Sequence, residues 1–327
     1  MPRADLKHRT IRRKRGGLSP RPAREGRRSV INFEDLATFI AVVDAGGFTR
    51  AARRLGVSKS IVSRRVARLE GDLGARLVHR TARGFNLTEA GREYSSGART
   101  VLRELTAAKD SISSAKGMVT GKLRLALPVS FGIRHMGPVI AELNKLHPRL
   151  ELDIGYSEST VDLVNGNYDA AVRIGQLTAS SLIARKVTWM DLWVLASSDY
   201  LTKHGTPKRP EDLAQHECIV YTGSRRQQTW RFKQGRKIVV IAPATRLFMD
   251  NGEAMIQAAE AGLGITMLPD FIASDSIKAG RLVRLFETYT LLDGDIYVVR
   301  PAETQISPKV KLFTETMMRH FGKRRPY

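Results

Sequence analysis

Between Phe48 and Leu73 the sequence predicts two short amphipathic helices separated only by Leu55-Gly56-Val57-Ser58, and this junction restricts the fold more than any other feature. Helices joined by so short a turn must cross at close range. Ala51 and Ala52 are small enough to allow that approach. Ser58 offers a cap for the second helix, in which Val62, Val66, Leu69 and Leu73 recur at spacings of four, three and four and so draw one apolar stripe. Its remaining surface carries Lys59, Ser60, Ser63, Arg64 and Arg68, nearly all hydrogen-bond donors. An apolar back and a donor-rich front, presented across a tight turn, describe a helix-turn-helix at about residues 48–68 whose second helix enters a major groove. Upstream, Phe33, Leu36, Phe39, Ile40 and Val43 form one helical face that stops at Gly46-Gly47. Downstream, Leu77 to Thr88 has apolar ends and a basic tip with glycine, the pattern of a β-hairpin wing that could set Arg80 or Arg83 beside a neighbouring groove or phosphates. Residues 31–88 therefore read as a winged helix-turn-helix.

Charge agrees with a polyanionic partner. The chain carries a net charge of +22, and residues 1–29 alone hold 11 basic against 2 acidic side chains. Basic groups displace counterions from a phosphate backbone, so nucleic acid is the first expectation, although charge alone does not separate DNA from RNA or an anionic membrane. The 1–29 segment is rich in Arg, Pro and Gly and reads as a basic disordered extension. It is either an arm that tracks phosphates or the product of an upstream start, with Val30 as the alternative initiation point.

Thr88 caps the next helix, where Tyr94, Ala98, Val101, Leu105, Ala108, Ile112 and Ala115 alternate in steps of four and three. Such a heptad seam over residues 89–117 favours pairing with the same helix of a second subunit, the alternative being packing within its own chain. From Thr88 to Gly117 it would span roughly 43 Å at about 1.5 Å per residue, a spacer ending in a Gly117–Gly121 hinge. Beyond it, strands are predicted at Leu123–Leu127, Leu150–Ile154, Ala170–Ile174, Leu192–Ala196, Ile265–Leu268 and Ile296–Val299, and helices at Met136–Leu146, Glu253–Ala261 and Val310–Phe321. This alternation implies α/β layers with a largely parallel sheet and two lobes around a ligand cleft, one at about 121–196 plus 296–321 and the other at about 197–295.

The lone Cys218 reads as a small half-buried hydrophobe, with redox sensing as the other reading. No window of about 18 uncharged apolar residues exists, and the basic N-terminus lacks the apolar stretch of a signal peptide, so a cytoplasmic protein without membrane contact is expected. The seven histidines are scattered singly, and no Gly-x-Ser-x-Gly elbow or phosphate loop occurs. No catalytic residue, metal or cofactor is therefore expected. An enzyme, a DNA-coating protein driven by charge alone and a periplasmic solute binder are the rival classes.

The order Gly47-Phe48-Thr49, Ala51 through Ser58, Val62-Ser63, Leu69-Glu70, Leu73-Gly74, Leu77, Arg80-Thr81 and Leu87 through Gly91 closely resembles the N-terminal domain of LysR-type transcriptional regulators. Gly121 through Leu125, Tyr168 through Gly175, Ala261 through Ile265 and Leu268-Pro269 are similar to the family's effector domain, so the resemblance covers about residues 31–321. Arg173-Ile174-Gly175 with Trp230-Arg231-Phe232 is similar to a subgroup that includes regulators of organic-acid and aromatic-acid genes. The resemblance implies a multidomain α plus α/β protein: a winged helix-turn-helix, a dimerising linker helix and a two-lobed, periplasmic-binding-protein-like effector domain at 121–321. It also implies a homodimer or homotetramer on an interrupted palindrome in double-stranded DNA. One departure stands out: the family usually has Gln where Lys59 follows the cap, and Lys favours guanine acceptors or phosphate where Gln reads adenine.

On this reading Lys59, Ser60 and Ser63 contact bases, while Thr49, Arg64, Arg68, Arg80 and Arg83 are the remaining DNA-binding candidates. For the effector, Pro128 through Gly132 opens a helix behind the first strand, and its free N–H groups with the Ser130 hydroxyl suit a small carboxylate, unless Ser130 is an ordinary N-cap. Arg173 ends a strand and faces either a carboxylate or a structural salt bridge. Asn251, which caps a later helix, and Tyr221 are candidates from the other lobe.

Overall fold

A computed structural model of the chain describes residues 32–81, 84–114, 119–164, 166, 168–175, 177, 182–223, 229–292, 294–302 and 305–322. The 1–29 extension, Arg83 and Ala115 lie outside them. The head comprises α1 (Phe33–Ala45), α2 (Phe48–Leu55), α3 (Lys59–Leu73), the antiparallel pair β1 (Val78–Thr81) and β2 (Gly84–Leu87), and the start of α4 (Glu89–Ser114). Each boundary has a local cause. Asn32, Ser58 and Thr88 accept from Glu34, Ile61 and Gly91 N–H respectively, and Gly46, Gly56 and Gly74 end α1, α2 and α3 in the left-handed conformation. Leu36, Phe39, Ile40, Ala51, Val62, Val66, Leu69 and Leu77 make one buried core.

Polar groups fasten this core. Buried Glu70 accepts the Leu77 and Val78 N–H groups at 2.8 and 3.1 Å, which pins the first wing strand to α3. Asp44 of α1 faces Arg99 of α4 at 2.5 Å, each side chain only 8% exposed. Tyr94 packs on Phe39 with ring centroids 6.0 Å apart, and Ala98 is buried in the same core. The expected heptad seam is therefore divided: its first two members bind the chain's own head, whereas Val101, Leu105, Ala108 and Ile112 are exposed. The opposite face of α4 rests on the effector domain, where Asp110 meets Lys309 at 2.9 Å and the Arg103 guanidinium donates to the Val164 carbonyl at 3.1 Å.

The remaining elements are β3 (Gly121–Leu127), α5 (Val129–Leu146), β4 (Leu150–Tyr156), β5 (Ala170–Ile174), β6 (Leu182–Trp189), β7 (Leu192–Ala196), α6 (Ser198–His204), β8 (Cys218–Tyr221), β9 (Trp230–Gln234), β10 (Lys237–Ile241), β11 (Thr245–Met249), α7 (Gly252–Glu260), β12 (Ile265–Pro269), α8 (Asp270–Lys278), β13 (Val283–Leu285), β14 (Thr290–Leu291), β15 (Asp295–Pro301) and α9 (Pro308–Phe321). They form two five-stranded sheets, β4-β3-β5-β15-β6 and β11-β8-β12-β7-β13, plus the small sheet β10-β9-β14.

Two expectations need correction. The large sheets are mixed, because β15 runs antiparallel to both β5 and β6 and β7 runs antiparallel to both β12 and β13. The lobe boundary also moves: β7 lies inside the second sheet, so the chain crosses between Trp189 and Leu192 rather than after Ala196, and it returns between β14 and β15. The two crossings are bonded to each other, Met190 N–H donating to the Gly294 carbonyl at 2.8 Å. A β-carbon at Gly294 would stand 2.1 Å from the Met190 carbonyl oxygen, so the crossings touch only because that residue is glycine. No described helix is long and apolar enough to cross a membrane.

Candidate nucleic-acid interface and effector cleft

The front of the head is built by α2 and the first two turns of α3. Burial of Val62, Val66 and Leu69 against α1 rotates Lys59, Ser60 and Arg64 outward, where all three are exposed, and Ser63 is half-buried beside them. Thr49 and Arg53 are exposed on α2. Ser60 shares a 2.8 Å hydrogen bond with the capping Ser58, so its hydroxyl is oriented at the helix start.

Arg68 is differently employed. Its guanidinium forks onto Asp35 of α1 at 2.5 and 2.6 Å, and Asp35 is only 1% exposed. The hydrogen bonds and charge of that carboxylate raise the Arg68 pKa. Removal of Asp35 from water, not groove contact, accounts for this arginine's orientation. Arg65 likewise bonds Glu34 and approaches Thr38. Arg80 lies on β1 opposite Phe85, and Arg83 falls outside the described residues.

In the effector domain, α5 begins at the C-terminal end of β3 and α7 begins after β11, on opposite lobes. Their N-termini converge. Ser130, in the first turn of α5, has its hydroxyl 3.7 Å from where a β-carbon on Gly252 would stand, at the start of α7. Ser130 is buried and its hydroxyl lies beside Glu253, whose carboxyl it helps hold below the usual pKa; it does not cap α5, whose N-cap is Pro128. Four residues on, Arg134 reaches across to Glu253 with a two-pronged bond of 2.8 and 2.9 Å and also approaches Asp275 at 3.4 Å. This guanidinium holds the Glu253 carboxyl below its usual pKa, and Glu253 in turn raises that of Arg134.

A second contact between the lobes is made by Glu158, on the segment that follows β4. It accepts from the Tyr221 hydroxyl at 3.0 Å and from the Asn251 amide nitrogen at 3.1 Å, both on the second lobe. Burial pushes the Glu158 carboxyl above its usual pKa, opposed by those two donors, and burial also pushes the Tyr221 hydroxyl up. Asn251 plays its expected part as well, its carbonyl oxygen capping α7 through Ala254 N–H at 3.0 Å.

Of the four effector candidates the structure thus brings Ser130, Tyr221 and Asn251 to the facing edges of the two lobes. Arg173 is placed apart: it lies half-buried on β5, its guanidinium donates to the Val161 carbonyl at 3.0 Å, and burial lowers its pKa. It steadies the 157–164 segment that carries Glu158. Glu158 and the Arg134–Glu253 clasp escaped the sequence reading, because nothing local marks a lone acid after a strand or a helix-surface arginine. The Trp230-Arg231-Phe232 signature is also explained by packing, since Trp230 and Phe232 are buried in the second lobe. An open hollow of about 480 Å³ between α5 and α8, lined by Arg134, His135, Phe271, Ser274, Asp275 and Lys278, includes none of the four candidates. Among the described residues no group of acids, histidines and cysteine is arranged to hold a metal.

Comparison with known proteins places both halves. Residues 33–92 match the family described as "Bacterial regulatory helix-turn-helix protein, lysR family", and residues 116–322 match "LysR substrate binding domain". The chain is 33% identical over 293 residues to the HTH-type transcriptional regulator PtxR of Pseudomonas aeruginosa, covering 90% of this chain and 94% of that protein. It is 34% identical over 261 residues to CrgA of Neisseria meningitidis serogroup C, covering 79% and 86%. Among solved structures, CrgA from Neisseria meningitidis superposes with a TM-score of 0.53 at 30% identity, over 89% of this chain and 99% of that one. The full-length Vibrio cholerae virulence activator AphB does so with 0.55 at 26%, over 88% and 99%. These relatives are transcription regulators rather than enzymes. With a DNA-reading head, a linker helix and a two-lobed binding domain in this order, the chain belongs to the LysR family of transcriptional regulators, each carrying an effector-binding domain.

Proposed function

We propose that this regulator works in the cytoplasm as a dimer or a tetramer on an interrupted palindrome, and that it responds to a small organic or aromatic acid bound between its lobes. The observation that carries the DNA half is the outward face of α3, where Lys59, Ser60 and Arg64 are exposed at the helix start while Arg68 is engaged by Asp35. Lys59, Ser60 and Ser63 read base edges, and Thr49 and Arg64 hold phosphates, because the first turns of a recognition helix lie deepest in the groove. Self-association is supported by Val101, Leu105, Ala108 and Ile112, an exposed apolar row on a helix whose other face is already covered. The acid effector is supported by the facing N-termini of α5 and α7, whose N–H groups and the Ser130 hydroxyl favour negative charge.

The test is fluorescence anisotropy of residues 30–327 on DNA upstream of the protein's own gene and on scrambled DNA across salt concentrations. A preference on the order of a thousandfold that survives rising salt supports specific regulation. Equal, salt-sensitive binding to both, and to further promoter fragments, would favour a charge-driven DNA coat. Arg64→Ala is expected to weaken all sequences alike, and Lys59→Ala to relax preference at one base pair by about 1–3 kcal/mol. Equal loss on specific and scrambled DNA for Lys59→Ala removes it from base reading.

A further inference from the structure

Glu158 is the only described acid hydrogen-bonded by side chains of the opposite lobe at the Tyr221–Asn251 edge, and its two carboxylate oxygens are each met by one donor. The donors belong to different elements, Tyr221 to the end of β8 and Asn251 to the cap of α7, so the pair is fixed by the second lobe's own fold. The acceptor is not fixed in that way: Glu158 sits on the connection after β4, tied by the local Ser157–Ser159 turn and by Arg173 through the Val161 carbonyl. A rigid two-donor fork and a tethered carboxylate are the two halves of a small-acid binding site. We propose that the Tyr221 hydroxyl and the Asn251 amide form a carboxylate-binding site that the chain fills with its own Glu158, so that an acidic effector binds by displacing this side chain and thereby breaks one polar tie between the lobes, the Arg134–Glu253 clasp being another.

The proposal rests on reading the space between the lobes as the effector site. Among the described residues no basic side chain is bonded to Glu158; Asp250 and Glu253 share its sign, with Glu253 paired to Arg134, so hydrogen bonds rather than a counter-charge hold this carboxylate. What holds the carboxylate is a pair of neutral donors at a helix N-terminus, a combination that accepts any carboxylate of similar size. A tethered occupant competes at a high local concentration, which makes the wild-type cleft a demanding site for a free acid.

Chemical rescue tests this with the purified full chain, no DNA and propionate as the probe, sodium chloride at equal ionic strength serving as control. Glu158→Ala leaves the two donors facing a vacancy of carboxylate size. Propionate is expected to raise the thermal midpoint of Glu158→Ala saturably, at a half-saturating concentration about tenfold or more below that of wild type, and Glu158→Ala/Tyr221→Phe should lose the effect. An identical response in wild type and Glu158→Ala overturns the proposal. So does stabilisation of wild type but not Glu158→Ala by methylammonium, which would make Glu158 the acceptor of a cationic ligand. Should Glu158→Ala fail to fold, Glu158→Ser keeps a polar side chain at this position while still vacating the fork and must show the same ordering. The readout involves no operator, so failure here leaves the DNA-binding reading standing, and failure to find an operator leaves this result intact.

Discussion

Asp44 and Arg99 show what single residues do in the head. Both are almost fully withdrawn from water, and they join α1 to α4 at 2.5 Å, so each depends on the other for its burial. Asp44→Ala removes the carboxylate that the buried Arg99 guanidinium meets and should cost about 3–5 kcal/mol. Adding Arg99→Met should recover more than half of that loss, because an apolar pair of similar volume needs no desolvated charge; calorimetric midpoints of the single and double variants check both statements. Residues whose role is local were legible in the sequence. Ser58, Thr88 and Asn251 cap the helices that follow them, as their position before an apolar run implies. Glu70 and Glu158 were not, since the first acts on the wing's backbone and the second on another lobe.

At the scale of the element, α4 carries the most consequence. Its first turn is pressed against the wing: a β-carbon at Gly91 would stand 2.0 Å from the Leu77 carbonyl oxygen, which belongs to backbone and cannot swing aside. Gly91→Ala is expected to cost about 3 kcal/mol and to lower DNA affinity by misplacing the wing, measured by thermal melting and anisotropy together. Further along, Ile112 is 69% exposed and Leu105 51%. A Leu105→Asp/Ile112→Asp variant should sediment as a monomer while its isolated head remains folded; an unchanged oligomer would mean that the row serves another purpose. The seven-residue period was visible from sequence, but its division into a part buried on the head and a part left exposed was not, because periodicity gives a face and not what covers it. Strands divided similarly. β5 and β7 were read to the residue, being short apolar runs, whereas β6 was missed because four consecutive positions, Ile183 to Lys186, are exposed and break the alternation.

Whole-molecule behaviour follows from the two lobes and the groups buried in them. Burial lowers the pKa of His216, which shares a 3.3 Å hydrogen bond with the Tyr200 hydroxyl, and of His135, where Arg134 adds to the effect. Below about pH 6.5 the unfolded chain therefore takes up protons that these folded histidines refuse, and stability falls as pH drops through that window. Glu158 and Asp169, raised by burial, act with the opposite sign at lower pH. Glu142, Glu253 and Glu260, all lowered by hydrogen-bonded partners, withdraw their contribution only below the ordinary carboxylate range. The thermal midpoint is expected to decline between pH 7.5 and 6, less steeply in His216→Phe; parallel curves for the two proteins would show that His216 takes no part. The two-lobed α/β plan itself was legible from alternating runs, while the mixed strand directions and the crossing at 190–191 required the pairing.

The chain's single cysteine ends up among the least accessible of its side chains. Cys218 is buried on β8 between the strands of the second sheet rather than half-buried, and burial pushes its thiol up to about 12. At neutral pH it is neither ionised nor reachable, so thiol-directed reagents find nothing to attack in the folded protein. A pair of surface cysteines, one introduced on each lobe, would thus carry spectroscopic probes on an otherwise silent background. The separation of the lobes becomes a distance that can be read directly as ligand is added.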